Sequence, residues 1–256
     1  MLNKALRRRI VEIVTKAKEG HIPSSFSIVD LIDHIYGNLL RFDPQNPDWQ
    51  ERDQFILSKG HGCAGLYVVL EKYGLLSADQ LASYSMTGGI LGGHPDRTTV
   101  PFVEASTGSL GHGFPFSVGI ALANKIKQLP GRVITLVGDG ECHEGTIWES
   151  AHVAANQKLD NLTVVVDWNQ SGAQLCPVDD LPAKWRAFGW QTHVFNGHDA
   201  AEIEAAFALV GKADGPLALV AKNIKGHGAK LTEGHGRWHH RIPDEQEYQE
   251  LMEALS

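Results

Sequence analysis

The chain has 256 residues, of which 43% are apolar and 21% charged, and its formal net charge is −7. This composition is typical of a globular protein that buries a core, and the length suits one large domain or two small ones. The longest basic run is Arg7-Arg8-Arg9, which we expect on the exposed face of the first helix, so a nucleic-acid partner is not indicated.

The sequence also argues against a membrane segment. Charged residues follow the first residues directly, without the apolar core of a signal peptide, and no apolar run approaches the length of a bilayer span. The cysteines Cys63, Cys142 and Cys176 are widely spaced and form no paired-ligand motif. A reducing, cytoplasmic setting is therefore expected, with no membrane partner.

The first half of the chain is predicted to be mainly helical. The first helix should end at Gly20, and Ser24 and Ser25 are candidate caps of the second. A Gly-rich segment, 85–111, is predicted to be a long functional loop. The predicted elements are helices at 3–19, 26–40, 62–73, 78–84 and 113–127, and a short buried strand at Phe55–Ser58.

Strands and helices alternate in the second half. The predicted strands are Val133–Val137, Leu162–Val166, Trp190–Phe195 and Leu217–Lys222, and the predicted helices are Thr146–Gln157, Leu181–Phe188, 199–210 and 244–254. This alternation predicts an α/β fold in which a parallel sheet has helices on both faces. We expect a single domain over residues 1–256.

Two polar residues follow neighbouring predicted strands. Asp139, within Gly138-Asp139-Gly140, follows one strand, and Asn169 follows the next, thirty positions later. That spacing suits a strand–helix–strand unit, which places both residues at the carboxyl ends of parallel strands. Oxygen ligands beside glycines are suited to a Mg²⁺–diphosphate site. Taken separately, each residue could also belong to an ordinary turn or cap.

Two common nucleotide sites lack support in this sequence. It contains neither a Gly-x-x-x-x-Gly-Lys-Ser/Thr loop nor a Gly-x-Gly-x-x-Gly turn after a strand. ATP and NAD are therefore poorly supported as ligands.

The stretch from Gly138 to Asn169 resembles the diphosphate and magnesium motif of thiamine diphosphate enzymes, with the spacing usual in the transketolase family. Other segments resemble transketolase segments in the same order, and the resemblance covers almost the whole chain. They are Gly20-His21, Leu57-Ser58-Lys59-Gly60-His61, Leu91-Gly92-Gly93-His94-Pro95, Ser106–Gly113, Lys184–Trp190 and Trp238-His239. The resemblance implies the thiamine-diphosphate-binding fold of the diphosphate domain.

The resemblance also implies roles for individual residues. Mg²⁺, for which Ca²⁺ or Mn²⁺ could substitute, would be held by the side chains of Asp139 and Asn169 and the carbonyl of Ser171. Residues implied to line the cofactor are His61, Gly108, Leu110, Gly138, Gly140 and Glu141, the last two through backbone N–H groups. Residues implied to act on the substrate are His21, His61, His94 and His239, with Glu144 in proton relay. Imidazoles suit proton exchange with sugar hydroxyls near neutral pH.

The histidines have simpler interpretations as well. A lone His beside Gly is more often a turn residue than a catalyst. His235, His239 and His240 could also form a zinc cluster, but no acid or Cys completes it in a strong pattern and Gly236 weakens the helix that it needs. His240 occupies a position where the resembled family usually has Gly.

The length of the chain implies a divided enzyme. Single-chain transketolases are much longer, and their second region binds the aminopyrimidine and supplies its activating glutamate. Only 87 residues follow Asn169, so the chain resembles the N-terminal subunit of a split transketolase. This resemblance implies transfer of a two-carbon ketol unit from a ketose (phosphate or analogue) to an aldose. It also implies a C-terminal partner subunit and a heterotetramer with two copies of each chain.

Two alternatives remain open at this point. One is a thiamine diphosphate-dependent carboligase, similar to 1-deoxyxylulose-phosphate synthase, with an α-keto acid donor. The histidine set favours a ketose, since several hydroxyl contacts suit a sugar better than pyruvate. The other is a non-enzymatic thiamine-binding scaffold, which the intact Asp139 and Asn169 pair disfavours.

Overall fold

A computed structural model describes residues 3–178 and 180–256, and its centre is a five-stranded parallel sheet. The strands are β1 (Gln54–Leu57), β2 (Val133–Gly138), β3 (Leu162–Trp168), β4 (Gln191–Asn196) and β5 (Leu217–Lys222), in the order β1-β2-β3-β5-β4. All four strand pairings are parallel. The predicted parallel α/β fold is therefore confirmed.

Helices cover both faces of the sheet. They are α1 (Lys4–Ala17), α2 (Ile22–His34), α3 (Cys63–Lys72), α4 (Ala78–Ala82), α5 (Gly113–Ile126), α6 (Gly145–Asn156), α7 (Leu181–Ala187), α8 (Ala200–Phe207) and α9 (Glu245–Ala254). Successive strand residues point to opposite faces. Leu136 and Val165 accordingly pack with α1, α2 and α3, whereas Val137 and Val164 pack with α5, α6 and α7.

Helix α2 begins earlier than the sequence indicated. Ser24 and Ser25 lie inside the helix and are buried, so their predicted role as caps was wrong. The first turn contains Pro23, whose missing N–H costs nothing at this position. His21 is the residue that precedes the helix, and it provides no side-chain cap. The start of α2 therefore determines the position of the His21 side chain.

Arg7 is buried, contrary to the prediction for the Arg7-Arg8-Arg9 run. Its guanidinium is fully shielded from solvent and pairs with Asp30 at 2.7 Å. It also donates to the carbonyls of Phe26 at 2.9 Å and His227 at 2.7 Å. Arg8 is exposed, as predicted for the run as a whole. Arg7 thus joins α1 and α2 to the chain segment that follows β5.

Removing this buried guanidinium should destabilise the fold. We expect Arg7→Ala to lower the free energy of unfolding by about 3 kcal/mol, because Asp30 would lose its partner in a largely buried setting. Arg8→Ala is the matched control and should change it by less than about 0.5 kcal/mol. Urea unfolding of the two variants measures the difference, and equal costs would contradict the proposed role of Arg7.

The strand register brings several loops to one edge of the sheet. Gly138 pairs with Asp167, and Trp168 pairs with Lys222. The residues that follow β2, β3 and β5 therefore emerge side by side at the carboxyl edge, next to the residues that follow β1. Within the described ranges, no helix has both the length and the apolar character needed to cross a bilayer.

Candidate active site

A cavity of about 560 Å³ opens at the carboxyl edge of the sheet. Its walls come from the loops that follow β1, β2, β3 and β5. The residues that line it include Lys59, His61, Leu110, Gly138, Asp139, Gly140, Glu141, Glu144, Asn169, Ser171, Lys225, His235 and His239. The structure therefore brings together most of the site residues that the sequence predicted.

Asp139 is a buried carboxylate that has no ion-pair partner among the described residues. It accepts the N–H of Gly140 at 2.8 Å, and no Lys, Arg or His of the described residues forms an ion pair with it. Burial raises the pKa of Asp139, and repulsion by Asp167 raises it further. A divalent cation at this carboxylate would relieve both costs.

Asp167 is a hydrogen-bond hub that the sequence analysis missed. This fully buried carboxylate pairs with the Lys59 ammonium and accepts hydrogen bonds from Ser27 Oγ at 2.8 Å and Asn223 Nδ2 at 2.6 Å. It also accepts from Asn169 Nδ2 at 2.9 Å. Because the amide nitrogen of Asn169 is held by Asp167, its oxygen is fixed on the other side.

The Asn169 oxygen points toward the next loop. It accepts the backbone N–H of Ser171 at 3.0 Å. Asn169 itself is 4% exposed. Its side chain therefore presents an immobilised carbonyl oxygen beside Ser171, at the strand end next to Asp139.

The Glu141 side chain holds three loops together. Its carboxylate accepts hydrogen bonds from Ser58 Oγ and from the backbone N–H groups of Gly111 at 2.9 Å and Gly138 at 3.1 Å. Burial raises the pKa of Glu141, and these donors oppose the increase. The carboxylate is thus fully engaged within the protein.

Two glycines allow loops in and beside the cavity wall to pack closely, although Gly108, a predicted cofactor residue, is absent from the wall itself. A Cβ added to Gly172 would lie 2.9 Å from the Gly140 Cα, closer than real side chains approach. Gly108 has a φ of +154°, and a Cβ there would lie 3.1 Å from the His94 ring. A side chain at either position would therefore push neighbouring parts of the site apart.

Four imidazoles form a cluster beside the cavity. The centroid of the His21 ring lies 5.3 Å from that of His61, 5.5 Å from that of His239 and 4.6 Å from that of His240. His240 also pairs with Glu19 at 3.0 Å. The predicted site histidines His21, His61 and His239 thus meet, and His240 joins them.

Burial keeps the rings of His21, His61 and His239 neutral near pH 7. It lowers the pKa of His21 to about 4 and that of His61 well below its ordinary value, and the neighbouring Lys59 adds to the effect at His61. The pKa of His239 is lowered by burial and by the charge of Lys225. Neutral imidazole has one donor and one acceptor nitrogen, so each ring can bind a hydroxyl group.

Two predicted residues lie at the edge of the site. His94 is exposed and is absent from the cavity wall, although its ring lies where a Cβ on Gly108 would point. Glu144 is exposed, lines the cavity and immediately precedes α6. Both therefore remain accessible from outside.

The zinc alternative finds no support in the geometry. Across residues 3–178 and 180–256, no group of three or more His, Cys, Asp or Glu side chains could hold a metal ion. His239 instead lies next to the Lys225 ammonium, at 3.2 Å from Nδ1 to Nζ.

Comparison with known families identifies this arrangement. The family described as the thiamine diphosphate binding domain of transketolase matches residues 1–256. The chain belongs to the transketolase family. Its transketolase fold also appears in the solved transketolase of Leishmania mexicana, with a TM-score of 0.92 and 26% identity over 98% of this chain. The match covers 40% of the Leishmania chain.

Relatives of similar length are named as separate subunits of transketolases. The chain is 36% identical to one subunit of the apulose-4-phosphate transketolase of Phocaeicola vulgatus, over 98% of this chain and 91% of that one. It is 37% identical to the 6-deoxy-6-sulfo-D-fructose transketolase subunit SqwG of a Clostridium species, over 90% and 86% of the two chains. Human transketolase is 33% identical, but the chain spans only 41% of its length.

These findings confirm the transketolase interpretation made from the sequence. The chain is a subunit of a transketolase-type transferase, and its domain binds thiamine diphosphate. The residues at the cavity fit that cofactor. Among the described residues, Asp139 forms no ion pair and the buried Ser171 hydroxyl has no hydrogen-bond partner. Gly138 and Gly140 line the cavity beside Asp139, where backbone N–H groups suit an anion.

Lys59, Asp167 and Lys225 are charged residues of the site that the sequence analysis did not single out. The strongest available signal was Asp167, an acidic residue at the end of a valine-rich strand, where a charge is costly unless paired. Lys59 lies within a segment that already resembled transketolase. Lys225 had no comparable signal, because it lies between the last strand and a Gly/His-rich tail without regular periodicity.

Proposed function

We propose that this chain and a C-terminal partner together transfer a two-carbon ketol unit from a ketose donor to an aldose acceptor. The single observation that carries the proposal is the pair of strand ends at Asp139 and Asn169, which open into a cavity beside neutral histidines. The relatives are named for a sugar phosphate and a sulfo-sugar. For this chain we propose a ketose with or without such an anionic group.

Mg²⁺ is the proposed link between the protein and the diphosphate. The residues proposed to hold it are Asp139 and Asn169 through their side chains and Ser171 through its carbonyl. This proposal is supported by the unpaired buried carboxylate and by the fixed amide oxygen of Asn169. Residues proposed to line the cofactor are His61, Gly108, Leu110, Gly138, Gly140 and Glu141. When bound, thiamine diphosphate supplies the nucleophilic carbon and the electron sink.

The histidines are proposed to bind and exchange protons with substrate hydroxyls. His21, His61 and His239 are neutral and adjacent, which supports this role. His94 is proposed to contact the substrate from the rim. Glu144, exposed at the start of α6, is proposed to relay protons between paired active sites.

The partner is proposed to carry the pyrimidine-binding domain and its glutamate. The subunit names of the relatives support a two-chain enzyme, and we propose a heterotetramer with two copies of each chain. We infer that residues 1–256 form one diphosphate-binding domain. The free thiols of Cys63, Cys142 and Cys176 support a reducing, cytoplasmic setting.

Reconstitution tests the proposal directly. The chain alone should bind thiamine diphosphate weakly and show no turnover. Addition of a C-terminal subunit from the neighbouring reading frame should restore both binding and ketol transfer, measured with a set of ketose donors. Pyruvate should not replace the ketose.

Two outcomes would overturn parts of this assignment. Turnover with pyruvate but not with any ketose would favour the carboligase alternative. Full ketol transfer by the isolated chain would contradict the requirement for a partner.

A further inference from the structure

Lys225 is a buried ammonium whose nearest polar partner is a histidine. The side chain is 5% exposed, lines the cavity and places Nζ 3.2 Å from His239 Nδ1. No carboxylate among the described residues forms an ion pair with it. Asp139 and Asp167 lie close enough to favour its charge, whereas Lys59 and burial oppose it.

The chemistry of this contact decides which nitrogen of His239 carries its proton. An ammonium group can only donate, so His239 Nδ1 must accept. A neutral imidazole that accepts at Nδ1 carries its hydrogen at Nε2. His239 therefore presents an N–H group at Nε2, and among the described residues this atom has no hydrogen-bond partner.

His21 has the opposite arrangement. Its Nδ1 lies 2.9 Å from the backbone carbonyl of His239, and a carbonyl can only accept. His21 Nδ1 therefore carries the hydrogen and Nε2 presents a lone pair. The two ring centroids are 5.5 Å apart, so an N–H donor and a lone-pair acceptor lie on neighbouring rings.

We propose that Lys225 is a positioning residue that holds His239 as an Nε2–H donor, complementary to the Nε2 acceptor of His21. The two rings then recognise one substrate hydroxyl from both sides. The hydroxyl oxygen accepts from His239, and its hydrogen is donated to His21. The identity of the ligand as a substrate hydroxyl rests on the proposed function. The two tautomers do not, because contacts within the chain alone determine them.

The tautomers can be measured without cofactor, partner or activity. In the full chain labelled with ¹⁵N-histidine, long-range ¹H–¹⁵N correlation at pH 7 should show Nδ1–H for His21 and Nε2–H for His239, with peaks assigned by substitution of each histidine. The same tautomer on both rings would overturn the proposal.

Reversal of the contact gives a sharper test. Lys225→Glu replaces the donor by an acceptor, so His239 should move to the Nδ1–H form. The matched control is Lys222→Glu, a charge change at an exposed lysine three residues earlier, which should leave His239 unchanged. A His239 tautomer that does not respond to Lys225→Glu in a folded chain would overturn the role of Lys225. If that variant does not fold, the spectrum of the unmodified chain still decides.

Kinetics of the reconstituted complex provide a second readout. Lys225→Met should lower kcat/KM for the ketose about tenfold, the size expected for one mispaired hydrogen bond to substrate. Lys222→Met should lower it less than twofold. Unchanged kcat/KM in Lys225→Met would contradict the positioning role. Failure of ketol transfer in the parent complex would instead contradict the proposed function, while the tautomer measurement stands.

Discussion

Asp139→Asn is expected to abolish ketol transfer by the reconstituted complex without unfolding the chain. The substitution keeps the shape of the side chain but removes the negative charge of the Asp139 carboxylate, which is proposed to bind the metal. Loss of a residue that only hydrogen-bonds to a metal ligand typically lowers metal affinity 10- to 100-fold. Loss of a direct carboxylate ligand should therefore exceed about 100-fold.

The free energy of unfolding of the isolated chain, in contrast, should not fall in Asp139→Asn. Asp139 is buried, its pKa is raised by burial and by Asp167, and no cationic side chain among the described residues pairs with it. Its replacement by a neutral amide should leave the free energy of unfolding unchanged or raise it by about 1 kcal/mol. Such a result would mean that the Asp139 carboxylate lowers the stability of the free chain and favours binding of a cation.

Three measurements separate these effects. Calorimetry gives the affinity for Mg²⁺ and thiamine diphosphate, a coupled assay gives ketol transfer, and urea unfolding gives the stability of the free chain. Asp160→Asn is the control, because Asp160 is an exposed carboxylate in a surface pair with Lys125. An Asp139→Asn complex with unaffected ketol transfer would mean that Asp139 does not hold the metal.

The sequence predicted the fold well because its signals are local. Every predicted helix and strand is present, since apolar periodicity and Gly or Pro boundaries act within a few residues. The closeness of Asp139 and Asn169 was predictable too. It follows from one strand–helix–strand unit, whose geometry brings consecutive parallel strands together.

The missed features depend on packing between distant segments. Lys59 and Asp167 are 108 positions apart and meet only because β1, β2 and β3 are neighbours. Arg7 was assigned to the surface because it is charged. However, it lies three and four positions before Ile10 and Val11, which are fully buried on the same helical face. That spacing could have indicated a buried arginine in need of a carboxylate.

The roles of the histidines were predictable only in part, because they depend on both local sequence signals and contacts between distant segments. Their proximity to glycine loops indicated the site, and the structure brings His21, His61 and His239 together. Which nitrogen of each ring carries hydrogen depends on contacts with Lys225 and a backbone carbonyl. No local pattern in the sequence contains that information.

Lys59→Met should be among the most destabilising substitutions in the chain. Lys59 is 3% exposed and Asp167 is fully buried, so removal of the ammonium leaves an uncompensated carboxylate inside the protein. Breaking a buried pair in this way typically costs about 3–5 kcal/mol. Lys125→Met removes the partner of exposed Asp160 and should cost at most about 1 kcal/mol.

A double-mutant cycle shows whether the pair acts as a unit. Asp167→Asn alone should also destabilise, because Lys59 then loses its countercharge. In Lys59→Met/Asp167→Asn both charges are absent, so the cost should fall below the sum of the single changes by about 2 kcal/mol. Urea unfolding of the four chains at one pH supplies all the values, and additive costs would contradict direct coupling.

The same variants also show whether stability and cofactor affinity depend on the Lys59–Asp167 pair in the same way. Asp167 accepts from the amide nitrogen of Asn169, and the Asp167→Asn amide has one acceptor oxygen where the carboxylate has two. The double variant can therefore regain stability while the Asn169 oxygen is held less firmly. Affinity for thiamine diphosphate and Mg²⁺ should therefore stay at least about tenfold weaker in the double variant. Recovery of stability without recovery of affinity would show that Lys59 and Asp167 serve the site as well as the fold, because a purely structural pair would restore both.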